Sequence, residues 1–151
     1  MYLQDDEMFK TFLIVCFFMM SHAVAADGPI GYVKTVTGEA SITTDGKKAK
    51  AEIGGPVHAG SLLQTGTKSS MGVTFKDETL MSFGADTVFT VEEYLYAPSQ
   101  GKLKLSSKLV KGSLNYVSGV IAKLQPDAVS VSTPSGIIGV RGTQFLVKVE
   151  E

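Results

Sequence analysis

Tryptophan is absent from this sequence, and cysteine, arginine and histidine are rare: it has one cysteine, one arginine and two histidines. Cys16 lies in an N-terminal apolar run, so the rest of the chain can neither form a disulfide nor use a thiol. His22 and His58 are too few for a typical histidine-rich or cysteine-rich metal site. Without tryptophan, the chain also lacks the largest aromatic surface for stacking on sugars.

The sequence has no excess of charge of one sign. Lys and Arg together number 14 against 15 for Asp and Glu, which gives a net charge of −1. Removing Lys10 from the first count and Asp5, Asp6 and Glu7 from the second leaves 13 against 12, so residues 27–151 carry +1. Proteins that bind nucleic acid usually have a basic excess to displace counterions from phosphates. Nucleic acid is therefore not a predicted partner.

Long hydrophobic runs are also missing. The apolar run from Thr11 to Met20 covers ten residues, whereas a membrane-spanning helix needs about 20. A secretory signal needs about 7–15 apolar residues followed by a small-residue cleavage site. Ala23 and Ala25 provide that site. Residues 1–26 are therefore predicted to be a signal peptide, cleaved after Ala25 or Ala26, and residues 27–151 to form the mature domain without a transmembrane segment.

Several features of this N-terminal region leave alternatives open. An acidic stretch precedes Met8, so either Met1 or Met8 is the start, with Lys10 as the positive charge that a signal peptide requires. A retained membrane anchor is a second interpretation of the apolar run. Cys16 resembles a lipoprotein cleavage site only weakly, because Val15 is larger than the small residue such sites require. An ordinary apolar role for this cysteine is favoured.

The remaining 125 residues are enough for one domain with its own core. Apolar and β-branched residues occur in short runs separated by Gly, Pro and Asp-Gly, and no window shows helical periodicity over three turns. The pattern predicts an all-β, single compact domain of short antiparallel strands. A sandwich, a roll and a short β-solenoid all fit this pattern.

The positions of the turns predict several local elements. Asp45-Gly46 favours a two-residue hairpin, and a second hairpin is expected where Met71–Phe75 returns as Leu80–Phe83 around Lys76-Asp77-Glu78. Further elements are predicted as follows: a hairpin turn at Lys111-Gly112, one helical turn within 117–124, and two extended runs at 129–134 and 140–147.

Arg141 is the only arginine and lies between apolar neighbours. Buried arginines are normally paired, so the expectation is a buried side chain that donates hydrogen bonds at a strand crossing, with Gly142 allowing close backbone approach. Contact with a ligand or partner is the alternative.

No catalytic residue, metal ligand or cofactor is predicted. His58 is alone in a turn-rich corner, and the pairs Asp77-Glu78 and Glu92-Glu93 are adjacent, so their side chains diverge on a strand. The first pair is interpreted as a turn and the second as a solvated strand edge. Tyr94 and Tyr96 share one strand face and form a small candidate ligand surface, or pack on the core with their hydroxyls at its edge.

The segments Gly60-Ser61-Leu62-Leu63-Gln64-Thr65-Gly66, Val73–Leu80 and Thr133-Pro134 with Val140-Arg141-Gly142-Thr143 resemble the periplasmic domain of the FecR family of bacterial signalling proteins. The resemblance covers about 31–147. Ser61 stands where aspartate is common in the family, and Lys-Asp-Glu stands at a turn that is usually Asp-Gly. The residues that match the family motif are Gly60, Thr65, Gly66, Asp77, Gly112, Thr133, Pro134, Arg141, Gly142 and Thr143.

This resemblance implies a context and not a reaction. Signalling members have a cytoplasmic segment that contacts a sigma factor, one membrane helix, and this domain outside; the present chain is expected to lack the first two. The implied role is an exported, non-enzymatic domain that binds envelope proteins in the periplasm or cell envelope of a Gram-negative bacterium. The sequence specifies neither the partner nor the oligomeric state.

Strand addition at an exposed sheet edge is the predicted mode of binding, with Lys102–Lys111 as the candidate edge. The alternative is that its lysines protect that edge from pairing. Two other functions remain as alternatives. One is binding of a small molecule or envelope polysaccharide in a groove that contains Tyr94, Tyr96 and Arg141. The other, less favoured, is hydrolysis in a cleft that joins His58 to carboxylates or serines.

Overall fold

The computed structural model describes residues 28–150. The predicted signal peptide, Cys16 and both candidate start residues lie outside this range. Within it, the chain forms twelve strands and one short α-helix, with 3₁₀ turns at Pro98–Gln100 and Pro126–Ala128. The elements are β1 (Gly31–Thr37), β2 (Ala40–Thr44), β3 (Lys47–Lys50), β4 (Pro56–Val57), β5 (Leu62–Thr65), β6 (Ser70–Phe75), β7 (Leu80–Phe83), β8 (Val88–Ala97), β9 (Lys102–Val117), α1 (Val120–Leu124), β10 (Val129–Thr133), β11 (Gly136–Gly139) and β12 (Gln144–Val149).

The all-β prediction is confirmed. All twelve strands belong to one curled sheet, a half-barrel, in the order β3-β2-β5-β8-β9-β7-β6-β1-β4, with β10, β11 and β12 attached through β9. The pairing is antiparallel except between β9 and β10, which are parallel. Within the described residues, backbone strand pairing joins the two four-stranded groups β3-β2-β5-β8 and β7-β6-β1-β4 only through β9.

The long strand β9 occupies the centre of this arrangement. Its first part pairs with β8 and β10, and its last part pairs with β7 and β12. The prediction that Lys102–Lys111 forms a free edge is therefore wrong. The predicted hairpin turn at Lys111-Gly112 is wrong as well, because the strand continues through both residues to Val117.

Gly112 marks a bend and not a turn. Before it, the buried residues of β9 are Leu105, Ser107 and Leu109, and after it they are Leu114 and Tyr116, so the inward face changes from odd to even positions. The register with β8 shifts just before Gly112, between Leu109 and Lys111. Gly112 has a φ of +91°, which favours glycine. A β-bulge of this kind bends a strand without ending it.

The core follows from the alternation along the strands. In β6, Met71, Val73 and Phe75 point inward, and in β7 Met81 and Phe83 do so. The core also contains close aromatic contacts: ring centroids lie 4.7 Å apart for Phe83 and Phe89, and 4.8 Å apart for Tyr116 and Phe145.

Three of the local predictions are confirmed. Asp45 and Gly46, with φ of 51° and 75°, form the turn between β2 and β3. The second hairpin joins β6 to β7 around Asp77. The helical turn expected within 117–124 is α1, which ends at Leu124.

The C-terminal prediction needs correction. In place of two extended runs, this region has three strands, because β11 follows β10 after a tight turn and residues 140–143 form a loop before β12. Val140 is the buried residue of that loop. Over residues 28–150, no helix is both long and apolar enough to cross a membrane.

Candidate functional site

The family-motif residue Asp77 is fully buried in the turn between β6 and β7. Its carboxylate accepts hydrogen bonds from the Tyr94 hydroxyl (2.8 Å), the Thr79 hydroxyl (2.7 Å) and the Ile121 amide (3.2 Å). Its carbonyl oxygen accepts the amide of Val120 at 2.7 Å. This one residue therefore links the turn to β8 and to the start of α1. The prediction of a turn at Asp77-Glu78 is confirmed, but its first carboxylate is not on the surface.

Tyr94 is held in place by the same contacts. Its hydroxyl also accepts the amide of Asp77 at 2.9 Å, and its ring stacks on Phe75 with centroids 5.8 Å apart. Burial, together with the adjacent Asp77 carboxylate, raises the pKa of Tyr94 well above the usual tyrosine value. Since its hydroxyl is already bonded to Asp77, Tyr94 offers a ligand little beyond its ring edge. Tyr96 is also partly buried against the core.

Gly119 lies against the Asp77 cluster, and its role was not predicted from the sequence. A Cβ at this position would lie 2.3 Å from the Thr79 nitrogen and 2.4 Å from the Asp77 carbonyl oxygen. Glycine is therefore required here by space. The only local signal for this glycine is the dipeptide Ser118-Gly119 before a short apolar run. That signal does not show that Gly119 packs against the backbone of Asp77 and Thr79.

Thr65, Thr87 and Ser113 form a second hydrogen-bonded cluster at the bend of β9, beside Gly112. The Thr65 hydroxyl donates to the carbonyl of Gly84 at 2.6 Å and accepts the amide of Thr87 at 2.9 Å. The Thr87 hydroxyl accepts the amide of Ser113 at 3.1 Å. A Cβ on Gly112 would lie 2.2 Å from that hydroxyl oxygen. These bonds fix the bend of β9 against the loop after β7.

The corner at Gly60 and Gly66 is also stabilised by hydrogen bonds. Gly60 has a φ of +82°, and its amide donates to Val91 at 2.7 Å. Ser61 is fully buried and shares a 2.7 Å hydrogen bond with Thr44. Gly66 donates its amide to Glu39 at 2.8 Å. At Gly60 and Gly66, the residues of the family motif therefore stabilise the fold.

The last motif residues lie at the surface. Thr133 donates its hydroxyl to the carbonyl of Gly136 at 2.9 Å and so closes the turn that contains Pro134. Arg141, Gly142 and Thr143 are exposed in the loop between β11 and β12. The carbonyl of Gly142 accepts the hydroxyl of Ser118 at 2.7 Å, and that of Thr143 accepts the Ser118 amide at 2.9 Å.

The expectation that Arg141 is buried and bonded at a strand crossing is wrong. Its side chain is exposed and, within residues 28–150, forms no hydrogen bond or ion pair. Val140 takes the inward position in its place. The expected close approach at Gly142 is wrong too, since a Cβ there would meet no atom within 4 Å; its φ of +114° is what favours glycine.

Four strands have one unpaired edge within the described part of the chain: β3, β4, β11 and β12. β3 contains three lysines, which oppose pairing with another strand. β4 is only two residues long and begins with Pro56, which has the same effect. β11 consists of Gly-Ile-Ile-Gly, without charge or proline. Its Ile137 is 75% exposed, and Leu146 of β12 is 72% exposed. The least protected edge is therefore β11, next to the Arg141 loop.

The other candidate groups for catalysis or metal binding do not come together within the described residues. In residues 28–150, no three histidine, cysteine, aspartate or glutamate side chains converge as metal ligands. The main chain of His58 is bonded to Ser61, while Glu92 and Glu93 are exposed at a bulge in β8. A cleft of about 530 Å³ opens beside β2 and β3, where Lys48, Lys50 and Glu39 contribute to its wall.

Comparison with known families gives one match: the family model described as FecR protein matches residues 61–151. This span includes the buried Ser61, Asp77 and the bend at Gly112, as well as the exposed Arg141 loop. Comparisons with curated proteins and with solved structures found no match.

Proposed function

This chain belongs to the FecR family, and on that premise we propose that it is an exported, non-enzymatic domain that binds another protein in the cell envelope. Domains of this family are periplasmic and signalling-related. The sequence of residues 1–26 supports export, because a short apolar run followed by Ala-x-Ala is typical of a cleaved signal peptide.

The observation that carries the proposal is the exposed Arg141 beside the free edge of β11. Two other polar motif residues, Thr65 and Asp77, are buried and bonded within the domain. Arg141 contributes no such bond among the described residues, so its guanidinium is available for a carboxylate on a partner. An exposed arginine beside an apolar edge is a composition common at interface centres.

Strand addition is the binding mode that fits β11. The edge of Gly136–Gly139 that faces away from β10 has unpaired backbone groups, which a partner strand can satisfy. Ile137 supplies an exposed apolar contact on one face of such a pairing. This edge replaces Lys102–Lys111, which pairs with β8 along its length and with β10 at residues 105–108.

Site-specific photo-cross-linking tests the proposal. A photoreactive amino acid at Ile137 of the full chain, expressed in the native host, is expected to trap one dominant envelope protein. The same group at Leu95, which is 53% exposed in β8, is the control and should not trap that protein. Equal trapping at both positions, or none at Ile137, would show that β11 is not the contact edge.

Arg141→Ala then separates binding from folding. Because this side chain is exposed and unbonded, its removal should change the free energy of unfolding by less than about 0.5 kcal/mol while reducing cross-linking from Ile137. Lys123→Ala removes an exposed cation from α1 and is the matched control. A large loss of stability in Arg141→Ala would show instead that Arg141 has a structural role.

A further inference from the structure

A second surface of the domain consists of lysines and hydroxyl side chains on the outer face of the β3-β2-β5-β8-β9-β10 part of the sheet. The register places one row of directly paired residues across these six strands. Its members are Lys48, Thr43, Leu62, Thr90, Lys108 and Ser132. A neighbouring row begins with Lys50, Ser41 and Gln64.

The burial pattern shows that both rows face outward. Lys48, Lys50 and Lys108 are exposed and the polar side chains between them are half-buried, while the alternating positions, such as Ile42 and Leu63, are buried in the core. Neighbouring strands lie about 4.8 Å apart. Lys48 and Lys108 are therefore four inter-strand distances apart, or about 19 Å, with hydroxyl and amide groups between them.

The charges of this lysine face are not neutralised by the protein. Within residues 28–150, Lys48, Lys50 and Lys108 form no ion pair. Neither row contains a carboxylate. The nearest acidic residues lie at its borders: Glu93 is paired with Lys104 at 3.9 Å, Glu92 lies at the adjacent bulge, and Glu39 contributes to the wall of the cleft beside Lys48 and Lys50.

From this arrangement we propose that the lysine face binds an acidic polysaccharide, lying across the strands from the cleft at β3 to Lys108. The lysines match the charges of such a polymer, and the side chains of Thr43, Gln64 and Thr90 are suited to bond its hydroxyl groups. Recognition relies on charge and hydrogen bonds and not on stacking, which agrees with the absence of tryptophan.

The same features disfavour other anionic ligands. Of the strands that carry this face, β3 is at an edge of the sheet, so the face offers an acidic peptide backbone pairing at that border and not across the rows. Between Lys48 and Lys108, Leu62 is the one large apolar side chain of the first row, and it is half-buried, so an anionic membrane would find no exposed apolar group to insert between these lysines. The exposed apolar side chains Val110 and Ile137 lie at the Lys108 end of the face. The first row continues from Ser132 to its partner Ile137 in β11, so the lysine face ends beside the β11 edge and the two proposed ligands bind to neighbouring parts of the surface.

Binding of polygalacturonate to the full chain, purified after export, tests the proposal. We expect saturable binding to this acidic polymer and none to neutral dextran. Replacing Lys48, Lys50 and Lys108 together with alanine should weaken binding by about tenfold or more, since each exposed ion pair contributes modestly. A matched triple variant, in which Lys34, Lys76 and Lys123 become alanine, removes the same charge elsewhere and should bind normally.

Thr90→Val tests the part played by the hydroxyl groups without changing charge or side-chain shape. It should weaken binding about threefold, the effect of one modest hydrogen bond. Equal weakening in the two lysine variants would overturn the proposal, as would the absence of wild-type binding. Tighter binding to polyglutamate would identify an acidic protein as the ligand, and tighter binding to phosphatidylglycerol vesicles would identify a membrane; either result would overturn it. Cross-linking at Ile137 should be unchanged in all these variants.

Discussion

The hydroxyl of Tyr94 bonds twice to Asp77: it donates to the carboxylate at 2.8 Å and accepts the main-chain amide at 2.9 Å. Tyr94 lies in the middle of β8, and Asp77 lies in the turn that joins β6 to β7. Since these elements belong to the two four-stranded groups that only β9 joins through backbone pairing, the Tyr94–Asp77 contact connects them through side chains.

We expect Tyr94→Phe to lower the free energy of unfolding by about 1–2 kcal/mol, because it leaves the buried amide of Asp77 without a partner and removes one of the hydrogen bonds that the Asp77 carboxylate accepts. Tyr96→Phe is the matched control: it removes a hydroxyl two residues along the same strand and should cost less than about 0.5 kcal/mol. Urea unfolding of the two variants measures the difference. Equal stabilities would mean that the Tyr94–Asp77 bonds contribute nothing net.

The raised pKa of Tyr94 predicts a loss of stability in alkali. Burial and the Asp77 carboxylate raise this pKa in the folded state above the ordinary value of 10.0, so the folded state holds the proton more tightly than the unfolded state. This contribution is present in full below pH 10 and is lost as the pH rises above 10 toward the folded-state pKa. Burial shifts the pKa of Tyr116 in the same direction.

Unfolding midpoints measured from neutral pH to pH 11 should therefore fall above pH 10, while ultraviolet absorbance reports tyrosinate formation. The fall should be smaller in Tyr94→Phe. The same pH dependence in both proteins would show that Tyr94 does not titrate differently on folding.

Gly119→Ala should destabilise the domain by about 3 kcal/mol or prevent folding, because the new methyl group would overlap backbone atoms of Asp77 and Thr79 that cannot rotate away. Gly139→Ala is the control, since a Cβ there meets no atom within 4 Å. It should change stability by less than about 0.5 kcal/mol. Circular dichroism during thermal unfolding distinguishes the two, and a stable Gly119→Ala protein would show that α1 can move away from the turn.

Gly112→Ala is expected to be more costly than Gly101→Ala. Both glycines have positive φ, +91° and +66°, so both substitutions carry a backbone strain of about 1 kcal/mol. Only at Gly112 would the methyl group also overlap Thr87. The difference between the two free energies of unfolding therefore measures this overlap, and a difference near zero would mean that Thr87 moves aside without cost.

Local pattern was sufficient to predict the all-β class and two of the hairpins. Asp45-Gly46 and the alternation of Met71, Val73 and Phe75 determine structure through neighbours in sequence, and the all-β fold follows from many such segments. Pattern did not distinguish a turn from a bend at Gly112, because a glycine with positive φ interrupts a strand in the same way in both cases. The deciding contact is with Thr87, 25 positions earlier in the chain.

The candidate site was harder to predict, because burial depends on what covers a residue. Asp77 has the surroundings of a surface turn in sequence, yet α1 and Tyr94 enclose it. Arg141 has apolar neighbours, yet Val140 takes the inward position and leaves the arginine outside. The lysine face depends on register across six strands, which no local window contains.

The position of β9 also determines when the sheet can form during synthesis. A nascent chain that ends before Lys102 contains β1–β8, which pair as two separate four-stranded groups with no backbone hydrogen bonds between them. Their inner edges, on β7 and β8, stay open until β9 emerges. Open edges of this kind pair readily with other chains, so the interval before residue 117 leaves the ribosome is when this protein most needs a chaperone.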